Sequence, residues 1–110
     1  LKKGALIVSV GSFQELDEQI PLTCDKLIVD SWAQNSHRGE LLKLVREGRI
    51  NEKDIYSEIG YIVSGKKAGR ENDEELICAC LIGMGSLDIG AAKYVYDKLK
   101  DTKDVVEFEL

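Results

Sequence analysis

Two short apolar runs, Ala5–Val10 and Lys26–Ser31, constrain the fold of this chain more than any other feature. Each is rich in β-branched residues and lacks the strict alternation of a half-exposed strand, so both read as strands buried on two faces, as in parallel sheets. About fifteen residues separate them. A hairpin needs only a few connecting residues, whereas a parallel pair needs a crossover, so the spacing predicts parallel pairing through a helical or turn-like connection. The class that follows is α/β, a short parallel sheet with flanking helices.

The remaining segments supply the helices. Glu15–Ile20 reads as a short helix stopped by Pro21, the only proline. Ser36 is a candidate N-cap for a helix from His37 to Glu47, with Leu41, Leu44 and Val45 on one face and Gly48 at its stop. Asp54 is a candidate cap for Ile55–Ser64. Asn72 or Asp73 would cap a long apolar helix through Gly83, Gly85 and Gly90, with Glu74 and Glu75 near the positive end of its dipole. Val105–Leu110 alternates like a half-exposed terminal strand. Each of the three glycines would cost an exposed helix about 1 kcal/mol relative to Ala. They carry two readings: close packing or a kink, and backbone approach to a cofactor.

Composition narrows the function. A chain of 110 residues that is 44% hydrophobic is one small folding unit with a modest core. A net charge of −5 argues against a nucleic-acid surface, and the densest basic cluster, Lys98, Lys100 and Lys103, is interleaved with Asp97, Asp101 and Asp104. His37 is the single histidine, which excludes a Ser-His-Asp triad or a two-histidine metal site within the chain. Cys24, Cys78 and Cys80 have no metal-ligand spacing. On a helix, Cys78 and Cys80 would lie about 200° apart. Free thiols in a reducing cytoplasm are the expectation. No secretory signal is read in the opening residues, and Leu76–Ile89 reads as a core helix rather than a membrane span. Asp30-Ser31 ends a predicted strand and reads as a turn or as a ligand contact. His37, beside Arg38-Gly39-Glu40, reads as a cap or surface residue. Trp32, Tyr56, Tyr61, Tyr94 and Tyr96 read as core or interface aromatics.

Three motifs in order carry a resemblance. Gly4-Ala5-Leu6-Ile7-Val8-Ser9-Val10-Gly11-Ser12-Phe13 resembles a G-A-h-V-x-x-V-G-x strand. Leu27-Ile28-Val29-Asp30-Ser31 followed by His37-Arg38-Gly39-Glu40-Leu41 resembles V-V-D-S with H-x-G-E-L. Gly69-Arg70 opens a match to G-R-x-x-x-D-E-I, and Gly83 and Asp88 keep the spacing of S-V-G-x-A-x-x-D. Together they resemble the ornithine cyclodeaminase and mu-crystallin family. The resemblance implies the C-terminal half of a Rossmann-like dinucleotide-binding domain over residues 1–110, a fragment of a longer protein.

It also implies a site. Val10, Gly11, Ser12, Phe13, Leu81, Ile82 and Gly83 correspond to positions beside the nicotinamide of NAD or NADP. In the family's cyclodeaminases an Asp acts as general acid or base where Phe13 stands here, so no catalytic residue is assigned within this chain. Asp17 replaces a cofactor-contacting Lys, and Leu81 a cofactor-contacting Ser. No G-x-G-x-x-G follows a strand, so tight cofactor binding by this chain alone is not expected. The implied parent exchanges hydride with a nicotinamide at an amino- or imino-acid carbon, as a cytoplasmic homodimer that binds neither nucleic acid nor membrane. The other class of function is a non-catalytic accessory or small-ligand-binding protein on the same fold.

Overall fold

The computed structural model describes residues 1–102 and 106. Its four strands are β1 (Leu6–Val10), β2 (Lys26–Val29), β3 (Ser57–Glu58) and β4 (Ile77–Leu81). They form one sheet in the order β1-β4-β2-β3, with every pairing parallel. Five helices accompany it: α1 (Gln19–Thr23), α2 (Trp32–Asn35), α3 (Leu42–Arg46), α4 (Ile59–Val63) and α5 (Gly85–Leu99). The predicted α/β class and parallel strands are what the chain forms. β1 and β2 are not neighbours, however, because β4 inserts between them.

β4 is the largest departure from the sequence expectation. Ile77–Leu81 forms a buried strand rather than the first part of a long helix, and the helix begins only at Gly85. The segment Ile77-Cys78-Ala79-Cys80-Leu81 fits a central strand because both of its faces are covered. Cys78, Cys80, Leu27 and Val29 pack on one face against Leu41, Leu44 and Ile50, while Ile77, Ala79 and Ile28 pack on the other with Ile59 and Ile62 of α4. In a strand, residues two apart share a face. Cys78 and Cys80 therefore point the same way, their Sγ atoms 3.8 Å apart, instead of diverging around a helix.

The other boundaries shift for identifiable reasons. Pro21 lies inside α1, in the first turn, where its missing N–H would have had no helical partner. The helix expected over His37–Glu47 is divided: Ser36 ends α2 rather than capping a helix, Gly39 takes φ +83°, and α3 starts at Leu42. Asp54 belongs to a single 3-10 turn capped by Asn51, because the next residues leave to pair with β2 as β3. Glu74 and Glu75 lie near no helix start; they pair with Lys3 and Lys26. Gly83, Gly85 and Gly90 are not close-packed, since a Cβ at each would meet nothing within 4 Å. Gly83 instead makes the turn between β4 and α5, with φ +99°, a region that favours glycine. The strand expected at Val105–Leu110 lies outside the described residues apart from Val106.

β1 is also less buried than expected. Ser9 is buried, whereas Leu6, Val8 and Val10, which point to the other face, are 60%, 47% and 68% exposed. Among the described residues α4 is the helix on that face, and it covers the β2–β4 side. Tyr94 and Tyr96 are both exposed on α5.

Candidate functional site

The carboxyl ends of β1, β2 and β4 lie side by side, and each runs directly into a turn that a buried carboxylate holds. After β1 the chain continues through Gly11-Ser12-Phe13, and the Gly11 N–H donates to Leu81 O at 3.1 Å, tying this loop to the end of β4. After β4 it continues through Ile82-Gly83-Met84. The residues singled out from the sequence, Val10 to Phe13 and Leu81 to Gly83, thus meet at one edge of the sheet. This is the edge at which open α/β folds bind ligands.

Asp30, at the end of β2, braces the second loop. Its Oδ2 accepts from the N–H groups of Ile82 and Gly83 at 2.9 and 2.7 Å, and its Oδ1 from Ser31 N–H and Asn35 Nδ2 at 2.9 and 2.8 Å. The side chain is buried and fully engaged. Of the two readings of Asp30, the structural one accounts for these bonds: the carboxylate fixes the turn that carries Gly83.

Glu40 does the same for the first loop. It is buried, with Oε2 accepting from Glu15 N–H at 2.9 Å and Ser9 Oγ at 3.0 Å, and Oε1 accepting from Leu16 N–H at 3.0 Å. The Glu15 carboxylate lies 3.3 Å from the same Ser9 hydroxyl and 3.2 Å from where a Cβ on Gly11 would stand. Gly39 is buried next to Glu40. A Cβ there would come within 2.7 Å of Ile82, so the α2–α3 turn and the β4–α5 turn are packed against each other. The sequence placed Glu40 within the His37-Arg38-Gly39-Glu40-Leu41 motif but gave it no role. The signal available was a lone carboxylate between Gly39 and the apolar Leu41-Leu42, where a charge needs buried donors.

The remaining candidates stand as follows. Phe13 is 83% exposed, and Ser12 is exposed beside it. Asp17 accepts from Gln19 N–H at 2.8 Å at the start of α1. His37 is exposed, its Nδ1 3.0 Å from Ala33 O, as a surface role requires. A cleft of about 600 Å³ is lined by Asp30, Ser31, Ile59, Tyr61, Met84 and Leu87. No group of three or more His, Cys, Asp or Glu side chains among the described residues is placed to hold a metal ion. No helix among the described residues is long and apolar enough to cross a membrane.

The residues present fit the approach of a flat cofactor ring. Nothing projects from Gly11 or Gly83, and Gly83 faces open space. Solved structures of NAD-binding enzymes share the Rossmann-like fold of this chain. It superposes on the Thermococcus litoralis Δ(1)-pyrroline-2-carboxylate reductase in complex with NADH and L-proline with a TM-score of 0.83 and 33% identity, covering 92% of this chain and 32% of that one. An archaeal alanine dehydrogenase dimer with bound NAD gives a TM-score of 0.81 and 33% identity, over 99% of this chain and 36% of that one. The model of the ornithine cyclodeaminase/mu-crystallin family matches residues 1–103, and the chain belongs to that family. A Δ(1)-pyrroline-2-carboxylate reductase of Bacillus cereus is 43% identical over 103 residues, 89% of this chain and 32% of the relative. The chain therefore spans about a third of the length of the relatives it matches.

Proposed function

We propose that this chain forms the nicotinamide-side portion of the dinucleotide-binding domain of a longer NAD(P)-dependent reductase or dehydrogenase that acts on an amino- or imino-acid carbon. The observation that carries this reading is the pair of braced loops at one sheet edge, each with a side-chain-free glycine, on a fold shared with NADH- and NAD-bound relatives. Gly11, Ser12 and Phe13 on one side and Leu81, Ile82 and Gly83 on the other would hold the nicotinamide, with Val10 at the base of the first loop. When bound, the nicotinamide would give the hydride to an imine carbon or take it from an amine carbon. The chain's own contribution is placement: two loops whose backbone is fixed before the ring arrives, so little ordering is left to be done on binding.

Phe13 points away from cyclodeaminase chemistry. A phenyl ring neither takes nor gives a proton, so a reaction that needs a titratable group at that position is disfavoured. Reduction of an imine or oxidation of an amine is the better fit. The same substitution is the observation that favours a second reading, a ligand-binding protein without catalysis on this fold. We read the complete protein as a homodimer, following the description of the archaeal relative as a dimer.

Titrating the ¹⁵N-labelled chain with NADH tests the reading. Millimolar, rather than tight, binding is expected, because no Gly-rich phosphate loop is present in this sequence to anchor the pyrophosphate. The amides of Gly11, Ser12, Phe13, Ile82 and Gly83 should shift. Shifts centred on the opposite edge of the sheet, or none at saturating cofactor, would refute the assignment.

A further inference from the structure

Among the described residues, Asn35 Oδ1 is the one buried side-chain oxygen or nitrogen that meets no hydrogen-bond partner in the protein. The residue is fully buried. The other end of the amide fixes its orientation: Nδ2 donates to Asp30 Oδ1 at 2.8 Å and to Ser31 O at 3.1 Å, and turning the amide over would set an oxygen against those two acceptors. Oδ1 is therefore an acceptor that needs a donor, because a polar group taken out of water without one is costly.

Donors with the opposite need lie in the turn that follows. Asn35 ends α2, and the chain reverses at Gly39, where φ is +83°. The N–H groups of Gly39, Glu40 and Leu41 meet no acceptor among the described residues, although all three residues are buried. Asn35 and this turn share a neighbour: Asn35 holds Asp30, Asp30 holds the Ile82 N–H, and the Ile82 side chain packs on Gly39.

These two needs define what can sit between them. A cation would satisfy Oδ1 but face the N–H groups, and an anion would satisfy the N–H groups but face Oδ1. Water donates and accepts at once. We propose that an internal water molecule occupies this site, donating to Asn35 Oδ1 and accepting from an N–H of the Gly39-Glu40-Leu41 turn. The water joins the two braces of the sheet edge: Asn35 orients Asp30 beneath the Gly83 turn, and the turn that carries Glu40 holds the loop after β1. The two loops share one hydrated support, and this holds independently of the nicotinamide reading.

Water-selective NOE and ROE spectra of the ¹⁵N-labelled 110-residue chain test it. The expected result is a dipolar cross-peak, told from proton exchange by its sign in the rotating frame, between water and at least one of the Gly39, Glu40 and Leu41 amide protons. Asn35→Leu keeps the volume but removes the acceptor, and should abolish that cross-peak. No cross-peak in the wild-type chain overturns the proposal. So does a cross-peak that survives Asn35→Leu, which would trace it to a neighbouring hydroxyl. Should Asn35→Leu fail to fold, a crystal structure of the wild-type chain decides: a water within about 3.2 Å of Asn35 Oδ1 supports the site, and an Oδ1 met by a protein donor or by nothing overturns it.

Discussion

Replacing Asp30 tests whether the sheet edge is braced by buried carboxylates. Asp30→Ala removes the acceptor for three backbone N–H groups, on Ser31, Ile82 and Gly83, and one of two acceptors for Asn35 Nδ2, which keeps Ser31 O at 3.1 Å. A buried donor left without a partner costs about 1–3 kcal/mol. The Ile82 and Gly83 donors are part-buried, so water recovers some of the loss. A destabilisation of roughly 3 kcal/mol results, against a total of about 5–15 kcal/mol for a domain of this kind. Asp30→Asn keeps one acceptor oxygen and should lose roughly 2 kcal/mol. Urea unfolding followed by circular dichroism gives these values. Hydrogen exchange adds a local readout, in which the Ile82 and Gly83 amides lose protection ahead of the strand amides. A loss below about 1 kcal/mol for Asp30→Ala, or unchanged exchange at Ile82 and Gly83, would show that the turn is held by something else.

Two further outcomes follow from other contacts. Gly39→Ala combines a left-handed φ of +83° with a Cβ placed 2.7 Å from Ile82, so it should cost about 3 kcal/mol in urea unfolding, whereas Gly48→Ala, at φ +69° with nothing within 4 Å, should cost about 1 kcal/mol; equal costs would remove the packing argument. At the opposite edge burial opposes the charge on Lys26, but hydrogen bonds to Glu71 and Glu75 outweigh it and push its pKa up to about 12. Because that value lies above the unfolded one of about 10.4, the stabilisation is complete below that pH and fades as pH rises through about 12. The stability of Lys26→Met should therefore differ most from wild type near neutrality and converge on it above that range; a pH-independent difference counts against the ion pair.

The sequence made the parallel α/β class legible because the β1 and β2 runs have no helical period. β4 was not legible for the same kind of reason: Ile77–Leu81 is a short apolar segment followed by more apolar residues, and periodicity does not separate a buried strand from a buried helix there. The deciding factor is the open slot between β1 and β2, which five residues of β4 fill with both faces covered. Local propensity carries no information about that slot. The buried acids show the same limit. Asp30 is visible as a turn former, but the donors that fix its role are 52 and 53 residues further along the chain.

The site divides into a scaffold and a surface that respond differently to substitution. Asp30, Glu40, Ser9, Gly39 and Asn35 are buried, and all but Gly39 hydrogen-bond to backbone or side chains around the two loops, so changing them disturbs several groups at once. Phe13 is 83% exposed on the loop that Glu40 holds. Exposed positions of this sort usually change stability by no more than about 0.5 kcal/mol. A carboxylate and a phenyl ring can therefore exchange there at little cost to the fold, and on the proposed reading that exchange removes proton transfer from position 13 and leaves hydride exchange with the nicotinamide. Asp30 and Glu40 fix the braced edge in this chain; on the proposed reading, position 13 is where the reaction at that edge diverges.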